Sequence, residues 1–159
     1  MMTTSEKGLR LIRLYEGLRL KAYLCPAGVP TIGYGHTKGV RMGQSITEAE
    51  AEQLLKEDLR TPERVLNALS VNFRQEQFDA LASWIFNLGE GNFRNSTLRK
   101  KILADADDVT ITDEIVRWVN SGGKPSTGLK RRRISEANLF LGKDLYFLDA
   151  KLNIKKNKI

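Results

Sequence analysis

The apolar residues of this chain keep a helical period almost from end to end, and the one stretch that breaks it constrains the fold most. From Leu20 to Thr37, glycines and prolines punctuate two short extended runs, AYL and TIGYG, the pattern of a small sheet built of hairpins. Before this stretch, residues 5 to 15 place Leu9, Ile12 and either Leu11 or Tyr15 on one face behind Ser5 or Thr4. That arrangement predicts a short capped amphipathic helix. After it, nearly everything reads as helix. Thr47 with Glu50 forms a capping box, Thr61 before Pro62 predicts a further helix start with proline at its first position, and Asn72 with Gln75 predicts another. The stripe that follows, Phe78, Leu81, Ala82, Ile85 and Leu88, marks the central core helix, with Gly89 and Gly91 as its end. Ser96 opens a turn through Leu98 and Leu103, Thr112 caps a helix carrying Ile115, Val116 and Val119 to Gly122-Gly123, and Thr127 caps a last helix to Gly142. Trp84 and Trp118 fall among helix-spaced apolar residues, as core anchors do. No repeat or low-complexity linker interrupts residues 1–159. One α+β domain is expected, with a small N-terminal β-hairpin lobe and a larger helical lobe.

Composition narrows the function. With 41% hydrophobic and 28% charged residues, the chain has enough apolar material for a real core. No run approaches the roughly 18 apolar residues of a membrane span, and Glu6, Lys7, Arg10 and Arg13 interrupt the start too often for a signal-peptide core. The chain is therefore expected to remain in the cytoplasm until something else releases it. One cysteine and one histidine supply neither an internal disulfide nor a structural metal site, and no cofactor is expected. The net charge of +7 implies polyanionic company, whether nucleic acid, an anionic membrane surface or a bacterial wall. Its cations gather in Lys130 to Arg133 and in the tail KLNIKKNKI, where a solvated helix face and a frayed terminus are the simplest readings.

Chemistry concentrates in the irregular stretch, EGLRLKAYLCPAGVPTIGYGHT from Glu16 to Thr37. Glu16 ends the first helix among Leu14, Leu18 and Leu20, and a desolvated carboxyl holds its proton to higher pH and can give it to a leaving group. Cys25 and Thr31 lie on the two arms of the expected hairpin, which could turn both toward Glu16. His36 has a side chain suited to proton transfer, and Gly33 and Gly35 lack the lysine and serine that would make a phosphate loop.

The order E-x8-C-x5-T resembles the catalytic signature of the phage T4-type lysozymes, the endolysins of glycoside hydrolase family 24, in which aspartate is commoner at the middle position. FNLGEGNFRNSTL from Phe86, WVNSGG from Trp118 and GLKRRRISE from Gly128 resemble later blocks of that family in the same order, so the likeness spans roughly residues 5 to 143 and leaves residues 144–159 as a basic tail. The resemblance implies a lysozyme-like fold with an active-site cleft between its lobes, and hydrolysis of the β-1,4 bond between N-acetylmuramic acid and N-acetylglucosamine in peptidoglycan. It implies Glu16 as general acid, Cys25 as second catalytic group and Thr31 as the hydroxyl that orients the attacking water. Phe86, Asn87 and Ser96 are implied as substrate-binding residues, while Ser96 also suits a helix cap and Phe86 a core position. His36 is implied as a support of the fold near the sheet.

Cysteine in the middle position leaves two routes open. A thiol titrates near pH 8.5 unless its setting lowers that value, and Arg19, Lys21 or the Arg131 to Arg133 cluster could do so. Steering water with Thr31 gives inversion, whereas attack by a thiolate gives retention. Further expectations from the resemblance are a monomer that depends on a holin or another membrane permeabiliser to reach the periplasmic wall. The basic tail is expected to touch an anionic outer membrane or else to be dispensable. Two other classes remain in view at this point: a non-catalytic wall-binding module, and a basic nucleic-acid-binding protein, which would leave Glu16, Cys25 and Thr31 without a purpose and lacks any nucleic-acid-binding motif.

Overall fold

The first helix, α1 (Glu6–Glu16), begins where Ser5 accepts a bond from the Gly8 amide, and it buries Leu9, Leu11 and Ile12. In the computed structural model, which describes residues 1–149 and 151–158, that cap is tied to a distant element. The Ser5 amide and hydroxyl both donate to the buried Asp79 carboxylate, on α3 (Gln75–Leu88). Gly17, at φ +70°, ends α1 and turns the chain into β1 (Arg19–Leu24), which pairs antiparallel with β2 (Pro30–Gly33), Tyr23 facing Thr31. The hairpin is held down by apolar contact rather than by its two strands alone, since an isolated pair is marginal in water. Ile32 is fully buried, Tyr34 packs on the cluster of Leu9, Ile12, Leu55 and Leu59, and its hydroxyl donates to Glu52 at 3.2 Å.

Helix α2 (Glu48–Asn67) starts with the capping box read from the sequence, Thr47 and Glu50 each bonding the other's backbone amide. It does not restart at Thr61. Pro62 lies inside it, although an interior proline removes one backbone bond and costs about 3 kcal/mol. The apolar stripe Ala51, Leu55, Leu59, Pro62 and Leu66 runs through the proline at unbroken helical spacing and is buried along its whole length. Each buried leucine contributes roughly 1.5–3 kcal/mol, so packing outweighs the local defect.

Helix α3 is the core helix, packed against α1, α2 and α7 (Thr127–Phe140). Phe78, Leu81 and Trp84 are fully buried, and the Trp84 indole donates to the Ile115 carbonyl at 3.4 Å. Its start lies later than Asn72 suggests: Arg74 is the cap residue, and the Gln77 side chain reaches back to the Arg74 amide at 2.9 Å. Burial of Phe73 just before the helix fixes that entry point. Gly89 does end α3, but Gly91 falls inside the short α4 (Glu90–Arg94). Ser96 caps α5 (Thr97–Ala104). Helix α6 (Ile111–Val116) is preceded by Thr110 rather than Thr112, and it stops before Val119. The WVNSGG segment instead supplies β3 (Asn120–Ser121), which turns through two glycines with φ of +56° and +78° to pair with β4 (Lys124–Pro125). Ser126, not Thr127, caps α7, accepting from the Leu129 amide at 3.2 Å.

The tail is ordered into a third hairpin, β5 (Tyr146–Leu148) against β6 (Ile154–Lys158). Leu145 and Leu148 are buried, and Leu145 belongs to the main core cluster. A frayed end does not describe it; Ala150 and Ile159 lie outside the described residues.

Candidate active site

Glu16 is the last residue of α1, and its side chain is 19% exposed. It opens on two cavities. One, of about 410 Å³, lies between α1, the loop after β2 and the helices α2 and α3, with Gly35, Asp58, Phe86 and Asn87 in its wall. The other, of about 450 Å³, lies toward α7, with Ser121, Gly128 and Arg131 in its wall. Glu16 and Asn87 line both, so the carboxyl stands in the middle of one groove. Gly35, at φ +91°, is required there: a Cβ would lie 3.3 Å from Glu16 Oε2.

Behind the carboxyl lies a buried charge network that the sequence reading missed. Arg132 Nη1 donates to Glu16 Oε1, Arg132 Nε to Glu136 Oε1 at 3.2 Å, and Arg132 Nη2 to the Ser83 carbonyl at 3.3 Å. Arg133 Nη2 donates to Asn87 Oδ1 at 2.6 Å and to Glu136 Oε1 at 3.1 Å. Arg132, Arg133 and Glu136 are 3%, 0% and 0% exposed, so this part of the basic run is no solvated face. Burial pushes the Glu136 carboxyl up and the Arg133 guanidinium down, while each opposes the shift of the other. The available signal was the placement of Glu136 four residues after Arg132 and three after Arg133, the spacings that bring helix side chains together.

Cys25 and Thr31 meet at the end of the first hairpin. The Gly28 amide donates to the Cys25 carbonyl at 2.8 Å and the Cys25 amide to the Val29 carbonyl at 3.1 Å, closing a tight turn around Pro26. Thr31 is buried and donates to the Val29 carbonyl at 2.9 Å. The thiol is held below its ordinary range first by the backbone of Val29, then by that of Ala27 and by the Thr31 hydroxyl. Cations are not the cause. Arg19 stacks over the Tyr23 ring at 4.4 Å, and Arg132 and Arg133 are engaged by carboxylates and Asn87. The hairpin leads from this turn back to Gly35 and Glu16, but Cys25 and Thr31 are not in the walls of the two cavities that Glu16 lines.

Phe86 packs on the Leu9, Ile12, Leu55 and Leu59 cluster and presents its remaining surface to the groove. Arg133 occupies the carbonyl end of the Asn87 amide, so Asn87 offers the groove its NH2 donor. Ser96 is elsewhere. Its hydroxyl donates to the Phe93 carbonyl at 2.7 Å and accepts from the Arg99 amide at 3.0 Å, and it lines a separate cavity with Trp118 and Glu114. His36 is bonded on both sides, Nδ1 to the Asp58 carboxylate at 2.9 Å and Nε2 to the Lys38 carbonyl at 2.9 Å. Both partners are acceptors, so the ring clamps the loop beside the groove to α2.

A small hairpin lobe packed on a helical lobe, with a helix-end carboxyl in the groove between them, is the arrangement of a lysozyme-type glycoside hydrolase. The chain belongs to the phage lysozyme family, whose model matches residues 13–136. It is 44% identical over 144 residues to the endolysin of Acyrthosiphon pisum secondary endosymbiont phage 1, covering 87% of this chain and 98% of that one. Among solved structures, the endolysin from Escherichia coli phage FAHEc1 superposes with a TM-score of 0.80 at 40% identity, covering 88% of this chain and 94% of the other. The muramidase domain of SpmX from Asticaccaulis excentricus gives 0.81 at 35% identity, covering 89% and 99%. The nucleic-acid-binding and non-catalytic readings are thereby set aside.

Proposed function

We propose that this phage lysozyme cleaves the β-1,4 bond between N-acetylmuramic acid and N-acetylglucosamine with Glu16 as the proton donor, Thr31 as the group that orients water and Cys25 as the second catalytic group. The observation that carries this reading is the position of Glu16, the carboxyl common to both cavities of the groove. Phe86 offers a sugar an apolar face and Asn87 an NH2 donor, the mixed apolar and polar lining that sugar rings require. The turn amides and the Thr31 hydroxyl that stabilise a thiolate at Cys25 equip it to take the place of the commoner aspartate. The protein acts as a monomer made in the host cytoplasm, and it reaches the wall when a holin or another permeabiliser breaches the membrane.

One experiment tests chemistry and access together. Purified peptidoglycan treated with the wild type is expected to release fragments with reducing-end muramic acid, identified by mass spectrometry. Folded Glu16→Gln should lose at least about 10²- to 10⁴-fold in rate, the usual contribution of a general acid. In expressing cells, lysis should follow chloroform for the wild type and not for the variant. Undiminished turnover by Glu16→Gln would overturn the assignment, and prompt lysis before chloroform would overturn the dependence on a permeabiliser.

A further inference from the structure

Glu136 has no exposure and no route to substrate, yet one of its oxygens organises the groove. Oε1 accepts from Ser83 Oγ at 2.9 Å, from Arg132 Nε at 3.2 Å and from Arg133 Nη2 at 3.1 Å. Through Arg132 that oxygen reaches Glu16, and through Arg133 it reaches Asn87. The donor arm toward the proposed acid and the arm toward the groove amide thus share one buried anchor.

We infer that Glu136 is a positioning residue for catalysis: it fixes Arg132 against Glu16 and Arg133 against Asn87, and by sharing the charge of Arg132 it sets the pH above which Glu16 can no longer act as an acid. The inference rests on the reading of Glu16 as general acid. Its physical basis is charge balance behind the groove, where Arg132, Arg133 and Glu136 are buried and only Glu16 meets solvent. Two guanidiniums, Arg132 and Arg133, face two carboxylates, Glu16 and Glu136; Arg131 and Tyr15 lie beside them, and Lys38, Asp58 and Glu90 line the cavity on the other side of Glu16. Ser83 adds only a hydroxyl from α3. If Arg132 faced Glu16 without a second carboxylate, its whole charge would favour the ionised acid, which has no proton to give. With Glu136 on its other edge, the guanidinium still orients Glu16 but opposes its protonation less. Buried charges are weakly screened, so the effect of a missing partner extends across the network.

The test is the pH dependence of kcat/KM on purified peptidoglycan for the wild type, Glu136→Gln, Arg133→Gln and a core control, Ile102→Val. Glutamine keeps the shape and an acceptor oxygen but removes the negative charge. Its basic limb is expected to move to lower pH by about one unit, an order-of-magnitude value for a buried charge two groups away. The rate just above the wild-type limb should then fall about tenfold while the low-pH plateau stays within about twofold. Arg133→Gln removes a positive charge instead, so its limb should move to higher pH, with KM raised because Asn87 loses its anchor. Ile102→Val should only rescale the profile. A Glu136→Gln profile that superimposes on the wild type after rescaling would overturn the inference. Should that variant fail to fold, an unmoved limb in Arg133→Gln would overturn it equally. Activity retained in Glu16→Gln would show that the underlying acid assignment had failed, which is a different result from an inactive Glu16→Gln beside an unshifted Glu136→Gln.

Discussion

At the scale of single residues, the candidate catalytic residues were legible where they are local in sequence, although only Glu16 of the three lines the groove. Glu16, Cys25 and Thr31 lie within sixteen consecutive residues, and the hairpin that joins them could be read from its glycines and prolines. What acts on those residues was not legible, because it comes from elsewhere or from the backbone. Arg132, which holds Glu16, is 116 residues away, and the groups that lower the Cys25 thiol are chiefly backbone amides of its own turn, which no side-chain pattern reports. Those amides lead to a prediction. A thiol held below its ordinary range carries its charge at lower pH, so iodoacetamide alkylation of folded Cys25 should rise with a midpoint below the value near 8.5 of a free cysteine, and return to it in urea. The rate followed by mass spectrometry at a series of pH values checks this; a folded midpoint at or above that of the same chain in urea would remove the amide effect. Cys25→Asp should retain turnover and Cys25→Ala should lose most of it, and NMR of the newly formed anomer separates inversion by water from retention through a glycosyl-cysteine.

At the scale of elements, apolar stripes and glycine stops located the main helices, while their exact starts and continuity depended on partners. Asn72 has the right chemistry for a cap, but Phe73 is drawn into the core and Gln77 closes the helix start on Arg74. Pro62 reads as a beginning and is carried inside α2 because the stripe on either side of it is buried. Gly8 shows the same competition with a measurable sign. Alanine within a helix is favoured over glycine by about 1 kcal/mol. At this position, however, a Cβ would lie 2.7 Å from Thr4 Cγ2 and 2.8–2.9 Å from the Asp79 side chain. Asp79 is buried and bonded to the Ser5 amide, the Ser5 hydroxyl and Gln75, so it cannot yield without breaking the cap of α1. Overpacking of this kind costs typically 1–3 kcal/mol, and the clash should win. Gly8→Ala is expected to lower the unfolding free energy by about 1–2 kcal/mol in urea titration with an unchanged slope; a stabilised variant would mean that α1 and α3 separate without cost.

At the scale of the whole molecule, charge and core meet in the C-terminal hairpin. The segment from Ala150 to Ile159 carries four lysines and no acid, so removing it lowers the net charge from +7 to +3. Leu145 and Leu148, just before it, are buried, and Arg131 Nη1 reaches the Leu148 carbonyl at 3.5 Å. Truncation at two points therefore separates two roles. Ending the chain at Asp149 keeps both leucines and should leave the melting temperature within a few degrees, while adsorption to whole cells becomes weaker and less sensitive to salt. Salt matters because exposed charges are screened beyond about 8 Å at physiological ionic strength. Ending the chain at Gly142 also removes the two leucines, each worth roughly 1.5–3 kcal/mol of burial, and should cost about 3–5 kcal/mol of stability. Hydrolysis of purified wall by the longer truncation should match the full chain, since the groove residues all lie upstream of the cut. Cell adsorption measured across a salt series, beside urea unfolding of both truncations, decides the matter. Equal salt dependence with and without the lysines would remove the electrostatic role of the segment, and equal stability of the two truncations would show that Leu145 and Leu148 contribute nothing to the core they occupy.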